Sequence, residues 1–150
     1  MTNIKNSKRI AIVFDDSKRT NLIEWSYFNK DILGKHEIIS YEITAELLKG
    51  TLNAPITSLV SGAPGDYREL TQMIGKKDID VLIFFGDPSK IDMRQTGVND
   101  MLALALEQDI VIACNLATAD IVIRSLQGSS APQTRNKKNR VAKSSMTVVQ

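Results

Sequence analysis

Five short apolar runs, each followed by a helix-like segment, constrain the fold of this chain more than any other feature. The clearest run is Ile79–Phe85 (IDVLIFF), and the others are Arg9–Phe14, His36–Tyr41, Ile56–Val60 and Asp109–Cys114. Short runs that are apolar throughout are typical of strands covered on both faces of a sheet. Because strand-like and helix-like segments alternate, the sequence predicts an α/β three-layer sandwich with a five-stranded parallel sheet.

The segments that follow these runs carry apolar residues at helical spacing, so each is predicted to be a helix. They are Lys18–Leu33, Thr44–Gly50, Asp66–Gly75, Val98–Glu107 and Ala117–Leu126. Gly34 follows the first helix and Gly50 ends the second, as glycine commonly does at helix C-termini. Thr44 and Asp66 stand where N-cap residues belong, because their side-chain oxygens can accept a free backbone N–H.

The composition fits one globular domain followed by a basic tail. The chain has 150 residues, of which 43% are hydrophobic and 24% charged, ordinary values for a folded domain. We assign the domain to residues 1–126 and the tail to residues 127–150, which contain no acidic residue and are expected to be disordered. The basic residues of the tail are Arg135, Lys137, Lys138, Arg140 and Lys143. No aromatic residue is interleaved with them for base stacking, which disfavours nucleic acid as a partner.

The sequence also disfavours a membrane protein and a secreted one. No apolar stretch approaches the roughly 20 residues of a membrane span, and the N-terminus lacks the apolar core of a signal peptide. The cytoplasm is therefore the expected compartment. Cys114, the single cysteine, lies in an apolar run and is expected to be a buried thiol rather than a nucleophile.

Polar residues collect where the predicted strands end. Asp15 and Asp16 follow the first run, with Arg19 close behind, and Asp87 follows the fourth. The third run leads into Ser61–Asp66 (SGAPGD), where two glycines and a proline leave backbone N–H groups free to face an anion. Because parallel strands end at one edge of the sheet, where ligands bind, this pattern favours a site for a small phosphorylated molecule. An ordinary capped strand-to-helix turn is the alternative interpretation.

Three segments carry a resemblance to a known family. They are Ile79–Phe85 followed by Asp87 and Pro88, Ala113–Asp120 (ACNLATAD), and the Ser61–Asp66 turn. The turn is similar to a serine–glycine–proline–x–glycine–glycine–aspartate motif shortened by one residue. On these segments, and over residues 9–126 as a whole, the chain resembles methylglyoxal synthase.

The resemblance implies a lyase that converts dihydroxyacetone phosphate to methylglyoxal and phosphate, without metal or organic cofactor, as a homohexamer. Asp66 would be the general base that takes a proton from the carbon next to the carbonyl, and Asp16 would support the reacting end. Ser61 and Gly62 match phosphate-holding positions. The other positions implied at the substrate are Thr44, Asp15, Asp87 and Arg19, the last with Lys18 as an alternative.

The chain departs from the family's pattern in several places. Asp15 and Arg94 stand where the family has histidines, Glu42–Ala45 replaces a turn rich in glycine and threonine, and Gly97 replaces an aspartate. Arg94 is expected to take over donation to the developing oxyanion, although its fixed charge cannot shuttle a proton near neutral pH. His36, the only histidine, opens a predicted strand and is interpreted as structural.

Three hypotheses of function follow from the sequence. The first, which we adopt, is an active lyase in which Arg94 replaces the family's histidine. The second is a catalytically degenerate ligand-binding or regulatory module of the same fold, because a like charge from Asp15 or Glu42 at about 4 Å from a phosphate would cost roughly 4 kcal/mol at an effective dielectric near 20. In the third, the basic tail binds nucleic acid or an acidic partner, with a steep dependence on salt.

Overall fold

The protein folds around one parallel sheet. Its structure, a computed structural model, describes residues 7–60, 66–86 and 96–127. The strands are β1 (Arg9–Phe14), β2 (Glu37–Tyr41), β3 (Ile56–Leu59), β4 (Val81–Phe85) and β5 (Val111–Ala113). They lie in the order β3-β2-β1-β4-β5, and every neighbouring pair is parallel. The five-stranded parallel sheet predicted from the apolar runs is confirmed.

Helices connect and cover the strands. In the described residues they are α1 (Arg19–Phe28), α2 (Lys30–Leu33), α3 (Glu42–Thr51), α4 (Arg68–Gly75), α5 (Thr96–Glu107) and α6 (Leu116–Gln127). A short 3-10 turn, Asp16–Lys18, leads from β1 into α1. None of these helices has the length and apolar character needed to cross a membrane.

Alternate residues of the central strands pack on opposite faces of the sheet. On one face, Ile10 and Ile12 of β1 join a buried cluster with residues of α1, α3 and α6. On the other face, Ala11 and Val13 pack with residues of α4 and α5. Strands β1 and β4 are apolar along most of their length because both of their faces are covered. The three-layer α/β architecture is therefore confirmed.

The helix predicted over residues 18–33 is divided at Asn29. The Asn29 side chain is buried, and its Nδ2 donates to the carbonyl oxygen of Trp25 at 2.9 Å and lies 3.5 Å from Oδ1 of Asp120. The backbone of Asn29 leaves the helical region, with φ −107° and ψ 18°. The amide side chain thus competes with the backbone for a carbonyl at the end of α1, which a pattern of apolar residues does not reveal.

Two predictions in α3 and β5 are wrong. Thr44 does not cap a helix, because α3 begins at Glu42 directly after β2 and places Thr44 on its buried face, only 5% exposed. Cys114 is exposed rather than buried, because the ladder between β4 and β5 ends at Ala113. Desolvation by the surrounding protein nevertheless raises the pKa of the Cys114 thiol, which disfavours a reactive thiolate.

All five strands end at the same edge of the sheet. The chain leaves β1 towards β2 and β3 on one side and continues to β4 and β5 on the other, so its direction reverses between β1 and β4. At this reversal the backbone N–H of Asp15 donates to the carbonyl oxygen of Phe85 at 2.8 Å, just beyond the two strands. Ligands of open α/β sheets bind above such a point.

Candidate functional site

The first corner of this edge is the turn after β1. Asp15 Oδ2 accepts hydrogen bonds from the backbone N–H of Ser17 (2.9 Å) and from its hydroxyl (2.7 Å), so Asp15 caps the 3-10 turn. Asp16 is exposed, and its Oδ1 accepts from Nη2 of Arg19 at 2.9 Å. The structure therefore brings Asp16 and Arg19 together as an ion pair, and their roles at a substrate stay predictions.

The second corner is the start of α4, where Asp66 lies. Asp66 was expected to be an N-cap, but the residue before the helix is Tyr67, whose side chain makes no capping bond. Asp66 instead accepts three hydrogen bonds from Arg68: from the backbone N–H to Oδ1 (3.2 Å), from Nε to Oδ1 (3.0 Å) and from Nη2 to Oδ2 (2.9 Å). These bonds from Arg68 hold the pKa of the Asp66 carboxyl below its usual range.

An aromatic wall stands beside the two corners. The ring of Tyr67 lies 5.8 Å from that of Tyr41 and 6.4 Å from that of Phe84, measured between centroids. Burial raises the pKa of both tyrosines, and nearby carboxylates add to the rise: Asp15 for Tyr67, and Asp66 among others for Tyr41. Both phenols therefore stay protonated at neutral pH.

In the turn after β2, the carboxylate of Glu42 is exposed and the hydroxyl-bearing side chain of Thr44 is buried. Glu42 is exposed in the first turn of α3, where the helix dipole favours a negative charge. Thr44, two residues later, is buried in the same helix. A phosphate-holding role for Thr44 stays a prediction, and it requires the hydroxyl to be reached at the buried base of α3.

Four of the predicted site residues lie outside the described part of the chain. They are Ser61, Gly62, Asp87 and Arg94. Their roles stay predictions. His36 lies at the opposite edge of the sheet, where its Nδ1 accepts from the backbone N–H of Lys8 at 2.9 Å and burial lowers the pKa of its imidazole. This arrangement agrees with the structural interpretation of His36.

A cavity of about 510 Å³ is lined by residues of α1 and α6. Its walls include Asn21, Trp25 and Phe28 of α1 and Leu116 and Asp120 of α6, and none of the predicted site residues lines it. Within residues 7–60, 66–86 and 96–127, no three His, Cys, Asp or Glu side chains are grouped so that they could hold a metal ion.

Arg68 and Tyr67 lie next to the predicted site residue Asp66, and neither was predicted from the sequence. Arg68 donates directly to the proposed base, and the ring of Tyr67 packs near those of Tyr41 and Phe84. The only sequence signal for Arg68 is its position two residues after Asp66, a spacing that also occurs between unpaired charges in many loops. Tyr67 falls at the polar start of a predicted helix, where an aromatic residue has no assigned role.

Comparisons with known proteins give a consistent family. The methylglyoxal synthase of Coxiella burnetii (strain RSA 493 / Nine Mile phase I) is 35% identical over 118 residues, which cover 79% of this chain and 82% of that protein. The methylglyoxal synthase of Pseudoalteromonas atlantica is 36% identical over 118 residues, covering 79% and 87% of the two chains. A scan against protein-family models gave no match.

A solved structure agrees with these relatives. The crystal structure of methylglyoxal synthase from Elizabethkingia anophelis NUHP1 superposes with a TM-score of 0.70 at 30% sequence identity. The superposition covers 85% of this chain and 80% of that chain. The likeness therefore extends over most of both chains.

Proposed function

The chain belongs to the methylglyoxal synthase family, and from that premise we propose that it is a lyase that converts dihydroxyacetone phosphate to methylglyoxal and inorganic phosphate. The observation that carries the proposal is the position of Asp66. Its carboxylate lies at the carboxyl edge of the sheet, at the start of α4, and is ionised at neutral pH. A carboxylate is the group that this reaction needs as a general base.

The proposed reaction has two steps. Asp66 takes a proton from the hydroxyl-bearing carbon next to the carbonyl. The electrons of the broken C–H bond form a C=C bond, and the carbonyl π electrons move to the carbonyl oxygen to give an enediolate. After a proton passes from the neighbouring hydroxyl to that oxygen, the terminal oxygen re-forms a carbonyl, the C=C bond shifts and the C–O bond to phosphate breaks. Phosphate leaves with the proton that Asp66 had taken, and the remaining enol tautomerises to methylglyoxal. Arg94 is proposed to donate to the enediolate oxygen, where losing one such donor typically costs about 10²–10³ in rate.

The phosphate group of the substrate is proposed to lie over the Ser61 and Gly62 turn, with Arg19 as the cation. Arg19 is paired with Asp16, but both side chains are at least half exposed, so this pair can rearrange at little cost. Asp16 is proposed to contact the end of the substrate that loses the proton. Asp87 is proposed to contact the substrate as well.

Asp15 and Glu42 would repel a bound phosphate, but their surroundings reduce this repulsion for both. Asp15 already accepts two hydrogen bonds from Ser17, which spreads its charge over its own turn. Glu42 is exposed to solvent, where the effective dielectric is high and repulsion of a phosphate is reduced. Both observations make the full penalty calculated for a like charge at about 4 Å too large.

The family also suggests the assembly and the setting. We propose a homo-oligomer, a hexamer by resemblance, in the cytoplasm. Exposed apolar side chains such as Phe28 (84% exposed) and Ile121 (71% exposed) support contacts between copies. Sedimentation of the purified full-length chain tests the proposed assembly.

The test of the activity is release of phosphate from dihydroxyacetone phosphate by the purified protein, with methylglyoxal trapped as a second product. Asp66→Asn keeps the size of the side chain and removes the base, so it serves as the negative control. Equal release by both proteins, or none by the wild type, contradicts the proposal. In the second case a binding module without turnover becomes the better account, and binding of inorganic phosphate is the next measurement.

A further inference from the structure

Both oxygens of the Asp66 carboxylate are engaged by one side chain. Arg68 donates from Nε to one oxygen and from Nη2 to the other, and its backbone N–H adds a third bond. Such a fork-to-fork pair is the strongest common arrangement of an arginine and a carboxylate. Because the guanidinium stabilises the ionised carboxylate, it also weakens Asp66 as a proton acceptor.

The two partners differ in their exposure. The Asp66 side chain is 20% exposed, whereas that of Arg68 is 86% exposed. The residues are two apart in sequence, so rotation of the arginine side chain alone separates them. The pair can therefore open without any movement of a strand or helix.

The start of α4 is held by other contacts. The hydroxyl of Tyr41 accepts the backbone N–H of Leu70 at 3.2 Å, and Leu70 and Ile74 of α4 are almost completely buried in the core. A helix fixed in this way does not depend on an exposed ion pair at its first residue. The Arg68–Asp66 pair is thus better suited to a functional exchange than to a structural role.

A phosphate group can compete for this guanidinium, because an arginine fork binds phosphate oxygens as well as carboxylate oxygens. When Asp66 takes a proton from a three-carbon phosphorylated ketone, the phosphate of that substrate lies only a few bonds from the Asp66 carboxylate and so within reach of the Arg68 side chain that contacts it.

We infer that Arg68 is a positioning residue, which holds Asp66 in an ion pair when no ligand is bound and passes its guanidinium to a bound phosphate group, so that Asp66 is released as a base. The inference rests on the proposed function for the proton transfer itself, whereas the exchange of partners concerns binding alone. It makes proton abstraction depend on a phosphate in the site, and so selects phosphorylated ketones over their unphosphorylated counterparts.

The exchange is tested by following the carboxyl carbon of Asp66 by NMR during an acid titration, with and without inorganic phosphate. The proteins are the wild type, Arg68→Gln and a matched control, Arg124→Gln, which removes another exposed arginine from an ion pair with Asp120. In the wild type we expect phosphate to raise the pKa of Asp66. In Arg68→Gln we expect the pKa of Asp66 to be raised without phosphate and to rise no further when phosphate is added. In Arg124→Gln we expect the same titration of Asp66 as in the wild type.

Three results overturn the inference. Phosphate binds the wild type and leaves the titration of Asp66 unchanged; phosphate shifts Arg68→Gln as much as the wild type; or phosphate does not bind the wild type at all. Since none of these measurements needs turnover, they remain decisive if the lyase activity itself is absent.

Kinetics separate the inference from the proposed function. If the wild type releases no phosphate from dihydroxyacetone phosphate, the proposed function fails, while the titration still decides the role of Arg68. If it turns over, Arg68→Gln is expected to raise KM by about 10-fold, from the loss of a charge-assisted hydrogen bond. It also moves the acid limb of kcat/KM to higher pH, and Arg68→Lys restores part of both effects. If Arg68→Gln lowers the melting temperature and leaves the acid limb of kcat/KM where it is in the wild type, Arg68 only stabilises the fold.

Discussion

Two arginine–aspartate pairs lie at opposite edges of the same sheet and differ in what they join. At the edge where the strands begin, Asp80 accepts from Nε of Arg9 at 3.1 Å, from its Nη2 at 3.1 Å and from its backbone N–H at 2.8 Å. At the edge where the strands end, Asp66 accepts the same three kinds of bond from Arg68. In both pairs the hydrogen bonds from the arginine lower the pKa of the aspartate.

The first pair connects parts of the chain that are far apart, and the second does not. Arg9 and Asp80 are separated by 71 positions and join the start of β1 to the residue before β4. Both of their side chains are about one-third exposed, whereas that of Arg68 is 86% exposed. A bond across two central strands is lost only when the sheet opens, so it stabilises the fold. A local and exposed bond can be exchanged for a ligand.

The largest effect is expected from Asp66→Asn. It should lower the rate of phosphate release by about 10²–10⁴, the usual contribution of a general base, and leave the melting temperature close to that of the wild type. Stopped assays with dihydroxyacetone phosphate give the rate. Glu69→Gln, which removes an exposed carboxylate from the first turn of the same helix, is the matched control and should keep the activity. Comparable losses in both variants would remove the special role of Asp66.

The next effect concerns the pair that joins two strands. Asp80→Asn should lower the free energy of unfolding by about 1–2 kcal/mol at neutral pH, after allowance for its partial exposure. Because the pKa of Asp80 is lowered in the folded state, this contribution is complete above the unfolded pKa and disappears as the pH falls through the lower folded value. Urea unfolding at neutral and at acid pH measures it.

Asp78→Asn is the control for this measurement, because Asp78 lies 3.7 Å from Nη1 of Arg9 and makes only a loose ion pair. Its free energy of unfolding should stay near that of the wild type. If Asp78→Asn destabilises the protein as much as Asp80→Asn, general charge balance rather than the bond across the strands accounts for the effect.

His36 is a second residue at the edge where the strands begin that is expected to affect stability, in a higher range of pH than Asp80. Its buried Nδ1 accepts from Lys8, and its pKa is lowered in the folded state, chiefly by burial. The unfolded chain therefore takes up the proton first, and stability should decline as the pH falls below about 6.5, by at most about 1.4 kcal/mol per pH unit.

Urea unfolding between about pH 7.5 and pH 5.5 tests this slope, since His36 is the only histidine and ordinary carboxyls titrate lower. His36→Asn keeps an acceptor without a titrating group and should flatten the curve. An equal slope in both proteins would show that the imidazole is not responsible.

The sequence predicts the sheet well because its signal is strong and local. The run Ile79–Phe85 contains no polar residue other than Asp80. A strand covered on both faces of the sheet is the arrangement that buries all of its apolar side chains. The helix boundaries are less predictable where one side chain decides them. Asn29 divides a helix by a bond to Trp25, and Thr44 is buried because β2 passes directly into α3.

The edge of the sheet at which the candidate residues lie is predictable from the sequence, but their hydrogen-bond partners are not. That polar residues meet at one edge follows from the parallel order of the strands, and Asp66 is placed there by both the pattern and the resemblance. The hydrogen-bond partner of a carboxylate depends on side-chain rotamers and on small differences in the distance between donor and acceptor atoms, which the sequence does not reveal. The pairing of Asp66 with Arg68, and of Asp16 with Arg19, therefore required the structure.

The smallest expected effect is on the stability of Arg68→Gln. Its guanidinium is surrounded by water, where the attraction to Asp66 is weak and is offset by the entropy lost in ordering a long side chain. The backbone N–H of residue 68 still donates to Asp66, and Leu70 still anchors α4. Thermal unfolding should therefore give the same melting temperature as the wild type, in contrast to Asp80→Asn. A decrease as large as that of Asp80→Asn would mean that the local pair is as structural as the pair across the strands, and that Arg68 cannot be exchanged without loss of the fold.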